Sequence, residues 1–153
     1  MYLAFKLIHV IAVIIFLGNI AVGVFWKAWA DRTNNAAIIA HTMEGIIKAD
    51  RIFTIPGVLL IVIGGVGAAF AADLPILRTG WILWGIVLFV LAGIAFGPLS
   101  RSQRNLLALA KAGDLDAYHA ASNQWNIFGT IALVLPFIAA AIMILKPLLP
   151  AFP

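Results

Sequence analysis

The chain contains no cysteine, so disulfides, thiolate metal sites and thiol nucleophiles are all excluded. Charge is also scarce. Only 10% of the 153 residues are Asp, Glu, Lys or Arg, against about 25% in a water-soluble domain. Long polar linkers, low-complexity segments and internal repeats are missing, as are a glycine-rich phosphate loop, a Ser/His/Asp set and a pair of acid/base carboxylates. No Lys/Arg stripe stands clear of the apolar runs, so nucleic acid is not an expected partner. What remains is apolar: 64% of the residues are hydrophobic and the mean hydropathy is +1.09. A soluble core cannot absorb that much apolar sequence, whereas a lipid bilayer covers it.

Four runs reach the ~20 residues that cross the hydrocarbon of a bilayer. They fall at about 3–26, 51–70, 79–98 and 124–145. The expected fold is a single all-α membrane domain: a four-helix bundle with two amphipathic cytoplasmic helical segments. The first segment covers residues 36–50, with Asn34 or Asn35 as its cap and a Glu44–Lys48 ion pair at the favourable spacing. The second follows a stop at Pro98, with Ser100 capping a helix over 101–112 that Gly113 ends; Asp114 then caps the segment holding Tyr118 and His119. Trp26, Trp29, Trp81, Trp84 and Trp125 read as interfacial anchors. Gly57, Gly64 and Gly67, and the pair Gly93/Gly97, are small positions where helices could approach closely. Pro136 predicts a kink in the last span. Ala28-Trp29-Ala30 loosely resembles a signal-peptide cleavage site, but the apolar run before it is too long, and the first helix is expected to be retained.

Lys27, Arg32, Lys48 and Arg51 follow the first span, and Arg101, Arg104 and Lys111 follow the third; the opposite side carries Lys6, Arg78 and Lys146. The positive-inside rule therefore puts both termini outside and the two longer loops in the cytoplasm of a bacterial inner membrane.

The first run has one face with chemical content: Lys6, His9, Ala12, Phe16, Asn19 and Gly23, at spacings of three and four. It is the face expected to meet the other helices. A neutral imidazole in an apolar helix is a ready axial ligand, so His9 is a candidate for haem iron, with Phe5 and Phe16 lining a porphyrin slot. The alternative is a His bonded to water or to a neighbouring helix. His9 lies about 25 Å of helix from Trp26, too far to share a metal with His41 or His119. Those two, with Glu44 and Asp116 three residues away, form either a divalent-metal pair or two solvated faces. Asn19, Asn126 and Thr130 suit interhelical hydrogen bonds or a polar path. No carboxylate is expected inside a span, which argues against an Asp/Glu proton relay.

The arrangement Lys6-x-x-His9, Phe16-x-Gly18-Asn19, Trp26-Lys27, Ala30-Asp31-Arg32, Asp50-Arg51-x-Phe53-x-x-Pro56-Gly57, Trp125-x-x-x-Gly129 and Lys146-Pro147 resembles a bacterial family of predicted integral membrane proteins of unknown function. That resemblance implies a four-helix inner-membrane protein. Lys6/His9 and Arg51/Pro56 also resemble, more distantly, motifs of the HemJ-type protoporphyrinogen oxidases. This second resemblance implies haem b, with His9 as ligand and Lys6, Asn19 and Arg51 beside it. The oxidases carry a Lys in the third helix four residues after a Trp; counting from Trp81, that place is Gly85. Three functions follow from these observations. The first is haem binding with a redox or tetrapyrrole role. The second is a non-enzymatic partner or assembly protein, with a homodimer or another membrane protein on its glycine faces. The third is a carrier of small solutes or ions through Asn19 and Asn126.

Overall fold

The computed structural model describes every residue from Met1 to Pro153. It is all helix: α1 (Tyr2–Asp31), α2 (Ala36–Ala49), a π-helical turn (Asp50–Thr54), α3 (Ile55–Ala71), α4 (Gly80–Ala112) and α5 (Leu115–Leu145). Four rods, with α2, the π turn and α3 forming one of them, are long and apolar enough to cross a membrane. Both termini and the 72–79 connection lie at one end, called here the terminal end. The two tight connections, 32–35 and 113–114, lie at the other, the turn end. Each has a local cause. Asn35 Oδ1 accepts from the backbone N–H of Ala37 and Ile38 and starts α2. Gly113 adopts the left-handed conformation (φ 75°) that closes α4, and Asp114 accepts from Ala117 N–H to open α5.

The predicted second amphipathic segment is different in the structure. Ser100 caps nothing, because α4 continues through Pro98 to Ala112. Proline removes one N–H and so one rung of the ladder, but the buried face resumes at once with Leu99, Ser102, Gln103, Leu106 and Ala110. In the same way α5 begins at Leu115, not near 124, because Tyr118, Ser122 and Trp125 extend its buried face at helical spacing. Both rods thus extend beyond the apolar runs expected at 79–98 and 124–145 toward the turn end. Trp125 is not an interfacial anchor: it is 5% exposed and belongs to the core.

Packing divides the molecule in two. Toward the terminal end α3 lies along α1 through its glycines. A Cβ at Gly64 would stand 2.8 Å from the His9 backbone nitrogen, and at Gly67 one would meet the Phe5 ring. Gly57 similarly seats Phe16, which touches Phe89 of α4 edge-on at 5.6 Å between ring centres. The other expected pair, Gly93 and Gly97, has no atom of another helix within Cβ reach; the spacing was right for packing, but that face of α4 points away from the bundle. The larger core sits at the turn end, where Ala30, Ile39, Met43, Leu106, Tyr118 and Trp125 bring α1, α2, α4 and α5 together.

Lys27 locks that core. It is 1% exposed. Its ammonium pairs with Asp31, donates to Ser122 Oγ at 3.4 Å, and lies 4.9 Å from the Trp125 ring centre and 5.5 Å from that of Tyr118. Tyr118 in turn donates to Asp31 Oδ1 at 2.7 Å. Burial, and then the bond to Asp31, push the Tyr118 hydroxyl well above its usual pKa, so it remains a donor at any working pH. Removing one member of a buried pair strands the other, at a cost of about 3 kcal/mol. Lys27→Met should therefore lower the unfolding free energy in detergent by about that amount, whereas the exposed Lys48→Met should leave it within error. Equal effects from the two would contradict this account of the turn-end core.

Candidate functional site

The residues proposed for haem do not converge. Lys6 is exposed and lies over the Tyr2 ring at 5.7 Å, and Arg51 is exposed on the outside of the π turn. Asn19 is about 15 Å of helix away from His9. Phe5 and Phe16 fill glycine hollows on α3 and leave no slot between them. His9 is half-buried, and its Nδ1 lies 2.8 Å from the Ile61 carbonyl. A carbonyl only accepts, so Nδ1 carries the proton of this bond, and Nε2 is the ring nitrogen left without a protein partner. The chain alone therefore offers one possible ligand and no porphyrin pocket.

The turn-end histidines, His41 and His119, form no shared metal site either. His119 Nε2 lies 3.1 Å from Asn34 Oδ1. Glu44 pairs with Lys111 of α4 at 2.7 Å, not with Lys48, because α2 lies across α4 and presents Glu44 to it. That bond, and the charge behind it, hold the Glu44 carboxyl below its usual pKa. No group of three or more His, Asp or Glu side chains gathers as metal ligands would.

The structure instead assembles a site around Asp50. The π turn is a one-turn widening of a rod that would otherwise be α-helical from Ala36 to Ala71, and Pro56 lies two residues beyond it. Ile55 N–H reaches back five residues to the Asp50 carbonyl. The extra residue pushes Arg51, Ile52 and Phe53 outward together and leaves Asp50 and Thr54 facing the bundle, 9% and 3% exposed. There Asp50 Oδ1 accepts from Thr54 Oγ1 at 2.8 Å and from Asn19 Nδ2 at 3.2 Å. Its Oδ2 accepts from Gln103 Nε2 at 2.8 Å. Asn19 Nδ2 also donates to Thr54 Oγ1 at 2.9 Å. The carboxylate is an acceptor in every one of its bonds. It has no cationic partner within 4.0 Å, since the two ion pairs of the chain are Lys27–Asp31 and Lys111–Glu44. No carboxylate lies within the span expected at 51–70, but Asp50, one residue before it, is drawn into the bundle by the π turn.

Asp50, Asn19 and Gln103 border a cavity of about 340 Å³ between α1, α2, α4 and α5. Trp26, Phe96 and Trp125 supply aromatic wall, His41 and Thr42 further polar groups, and Gly23, Gly45 and Gly129 the small positions. A second recess of about 320 Å³, lined by Lys27, Asp31, Asn126 and Thr130 among others, lies on the other side of Trp125. Of the sequence candidates, Asn19 and His41 lie in the larger site. Asp50, Gln103 and Trp125 were missed; the signal for Gln103 was its helical spacing from Leu99 and Leu106, hidden by the assumed stop at Pro98.

A family model described as "predicted integral membrane protein (DUF2269)" matches residues 3–147. No curated protein and no solved structure matches the chain. The match covers nearly the whole sequence, including every element that builds the Asp50 site, and the chain belongs to this family of integral membrane proteins.

Proposed function

We propose that the protein binds a small solute in the turn-end cavity, as a membrane-embedded carrier or receptor. The observation that carries this is the convergence of Asn19, Asp50 and Gln103, from three separate elements, on one cavity of about 340 Å³. Volumes of this order are those of ligand pockets. The cavity glycines support the same conclusion. A glycine inside a helix costs about 1 kcal/mol relative to alanine, and at Gly64 or Gly67 close helix contact explains it. At Gly45 a Cβ would meet nothing within 4 Å, and at Gly23 only Ile46, at 3.9 Å. Packing does not require glycine at either place, and a larger side chain there would enter the open space. The excess of Lys and Arg at the turn end supports an orientation with that end in the cytoplasm of a bacterial inner membrane.

The cysteine-free sequence makes a clean test. Gly23→Cys should react with a small water-soluble thiosulfonate in the reconstituted protein, and Ile63→Cys, on the lipid-facing side of α3, should not. Adding Gly45→Leu should slow the reaction at Gly23→Cys severalfold without lowering the melting temperature, since leucine improves helix propensity and meets open space. Equal reactivity at the two cysteines, or no effect of Gly45→Leu, would sink the cavity as a solute site.

A second reading keeps His9 as a ligand of haem b, and its support is the Nδ1–H bond to Ile61, which orients the ring and leaves Nε2 free. With no pocket inside the chain, the haem would lie at a seam with a second protomer or another membrane protein. Protein purified after expression with ample haem should then show a Soret band that His9→Ala abolishes. A flat spectrum would remove this reading and leave the cavity untouched.

A further inference from the structure

We propose that the ligand of the turn-end cavity is a small organic ammonium ion bearing N–H donors, with Asp50 as its counter-ion. This rests on the cavity being a solute site and specifies what it takes.

The first observation is the charge balance of the wall. Asp50 is a buried carboxyl, and the chain places no cation against it. Buried charges are normally paired, and three neutral donors stabilise the anion without neutralising it. Arg51 follows Asp50, and Arg101 and Arg104 flank Gln103 in sequence, but all are exposed and none lines the cavity.

The second observation is the hydrogen-bonding capacity left over. Asn19 has directed its amide nitrogen to Asp50 and Thr54, and Gln103 its own to Asp50. Rotating either amide by half a turn would set a carbonyl oxygen against the carboxylate, so the network itself assigns these orientations. What remains on these two residues is Asn19 Oδ1, Gln103 Oε1 and the second N–H of Gln103. Thr42 has donated its proton to the Ile38 carbonyl at 2.9 Å and keeps only lone pairs. A carboxylate has about four acceptor sites, and three are used here. Two donors also remain in the wall, the second Gln103 N–H and the unpartnered Trp125 indole N–H, but the charge in it is the carboxylate's, and its open acceptor position suits a cationic donor. A primary ammonium has three donors and no acceptor.

The third observation is size and surface. The cavity is far larger than a bare metal ion needs, and its wall is mostly apolar, with Trp26, Phe96 and Trp125 among the lining residues. Aromatic faces attract organic cations by about 0.5–2 kcal/mol each. A carboxylate at one point and aromatic rings elsewhere suit a cationic head on an apolar body.

The test uses the full chain in lipid nanodiscs. Butylammonium and phenethylammonium are titrated by calorimetry beside their neutral counterparts, butanol and phenylethanol, and beside tetramethylammonium and sodium. The primary ammonium ions should saturate one site per chain, bind at least about tenfold more tightly than the matched alcohols, and lose that margin in Asp50→Asn. Tetramethylammonium should be weaker, because it has no N–H. Should Asp50→Asn fail to fold, Trp26→Leu, at an exposed wall position, should still weaken the ammonium ions more than the alcohols. If alcohols and ammonium ions bind equally and Gly45→Leu abolishes both, the cavity is a solute site and the cation assignment is overturned. If no probe binds in a way that Gly45→Leu abolishes, both proposals fall. Tight binding of sodium with no organic ammonium bound would replace the assignment with a metal-cation site.

Discussion

A carboxylate held inside a membrane bundle without a counter-ion is the constraint on which most of this structure turns. Asp50 cannot be left bare in an apolar environment, and the fold answers with donors from three directions: Asn19 from α1, Thr54 from the π turn and Gln103 from α4. Each reach requires something of its helix. Asn19 must stand on the same face of α1 as Phe16. The second rod must widen by one residue to turn both Asp50 and Thr54 inward. The fourth helix must run on past Pro98 so that Gln103 arrives at the right height. The polar site and the course of three helices are thus one problem with one solution.

The two halves of the molecule are held by different forces. Toward the terminal end, α1 and α3 meet by close van der Waals contact at glycines, as expected where lipid removes any hydrophobic drive between helices. α3 packs on α1 and the π turn and makes no substantial contact with α4 or α5. Toward the turn end, α2 fills the space that α3 leaves open, and the buried Lys27–Asp31–Tyr118 set binds α1 to α5. The cavity lies where these two regimes meet. Trp125 stands between it and the Lys27 recess, and its indole N–H is buried without a partner.

Much of this was legible in the sequence. Composition and run length identify the four spans, and of the stripe Lys6, His9, Ala12, Phe16, Asn19 and Gly23 all but the exposed Lys6 lie on the face by which α1 meets its neighbours. One more step at the same spacing reaches Lys27 and Ala30, both buried. That step was hidden because Trp26 and Trp29 mark a membrane interface, where a lysine usually reaches water. Helix ends were harder. Pro98 is a stop by local rules, yet α4 passes through it because a continuous buried face outweighs one lost hydrogen bond. The π turn has no pattern that periodicity can detect, so Asp50 read as the last residue of an amphipathic segment rather than as a buried group of the bundle. Spacing identifies small residues but not the direction they face: Gly64 is pressed against a backbone, while Gly93 faces nothing. Partners across helices were equally hidden, as the Glu44–Lys111 pair shows against the nearer Lys48.

The claim beneath all of this is that Asp50 is an ionised acceptor at the centre of the network. Infrared spectroscopy of the reconstituted protein, comparing the native chain with Asp50→Asn after selective isotope labelling of aspartate, examines that claim most directly. A carboxylate stretch present in the native chain at neutral pH and missing from the variant is the predicted result. A protonated-acid carbonyl band in its place would mean that Asp50 is neutral and donates a proton, and the account of the network and its cavity would be wrong.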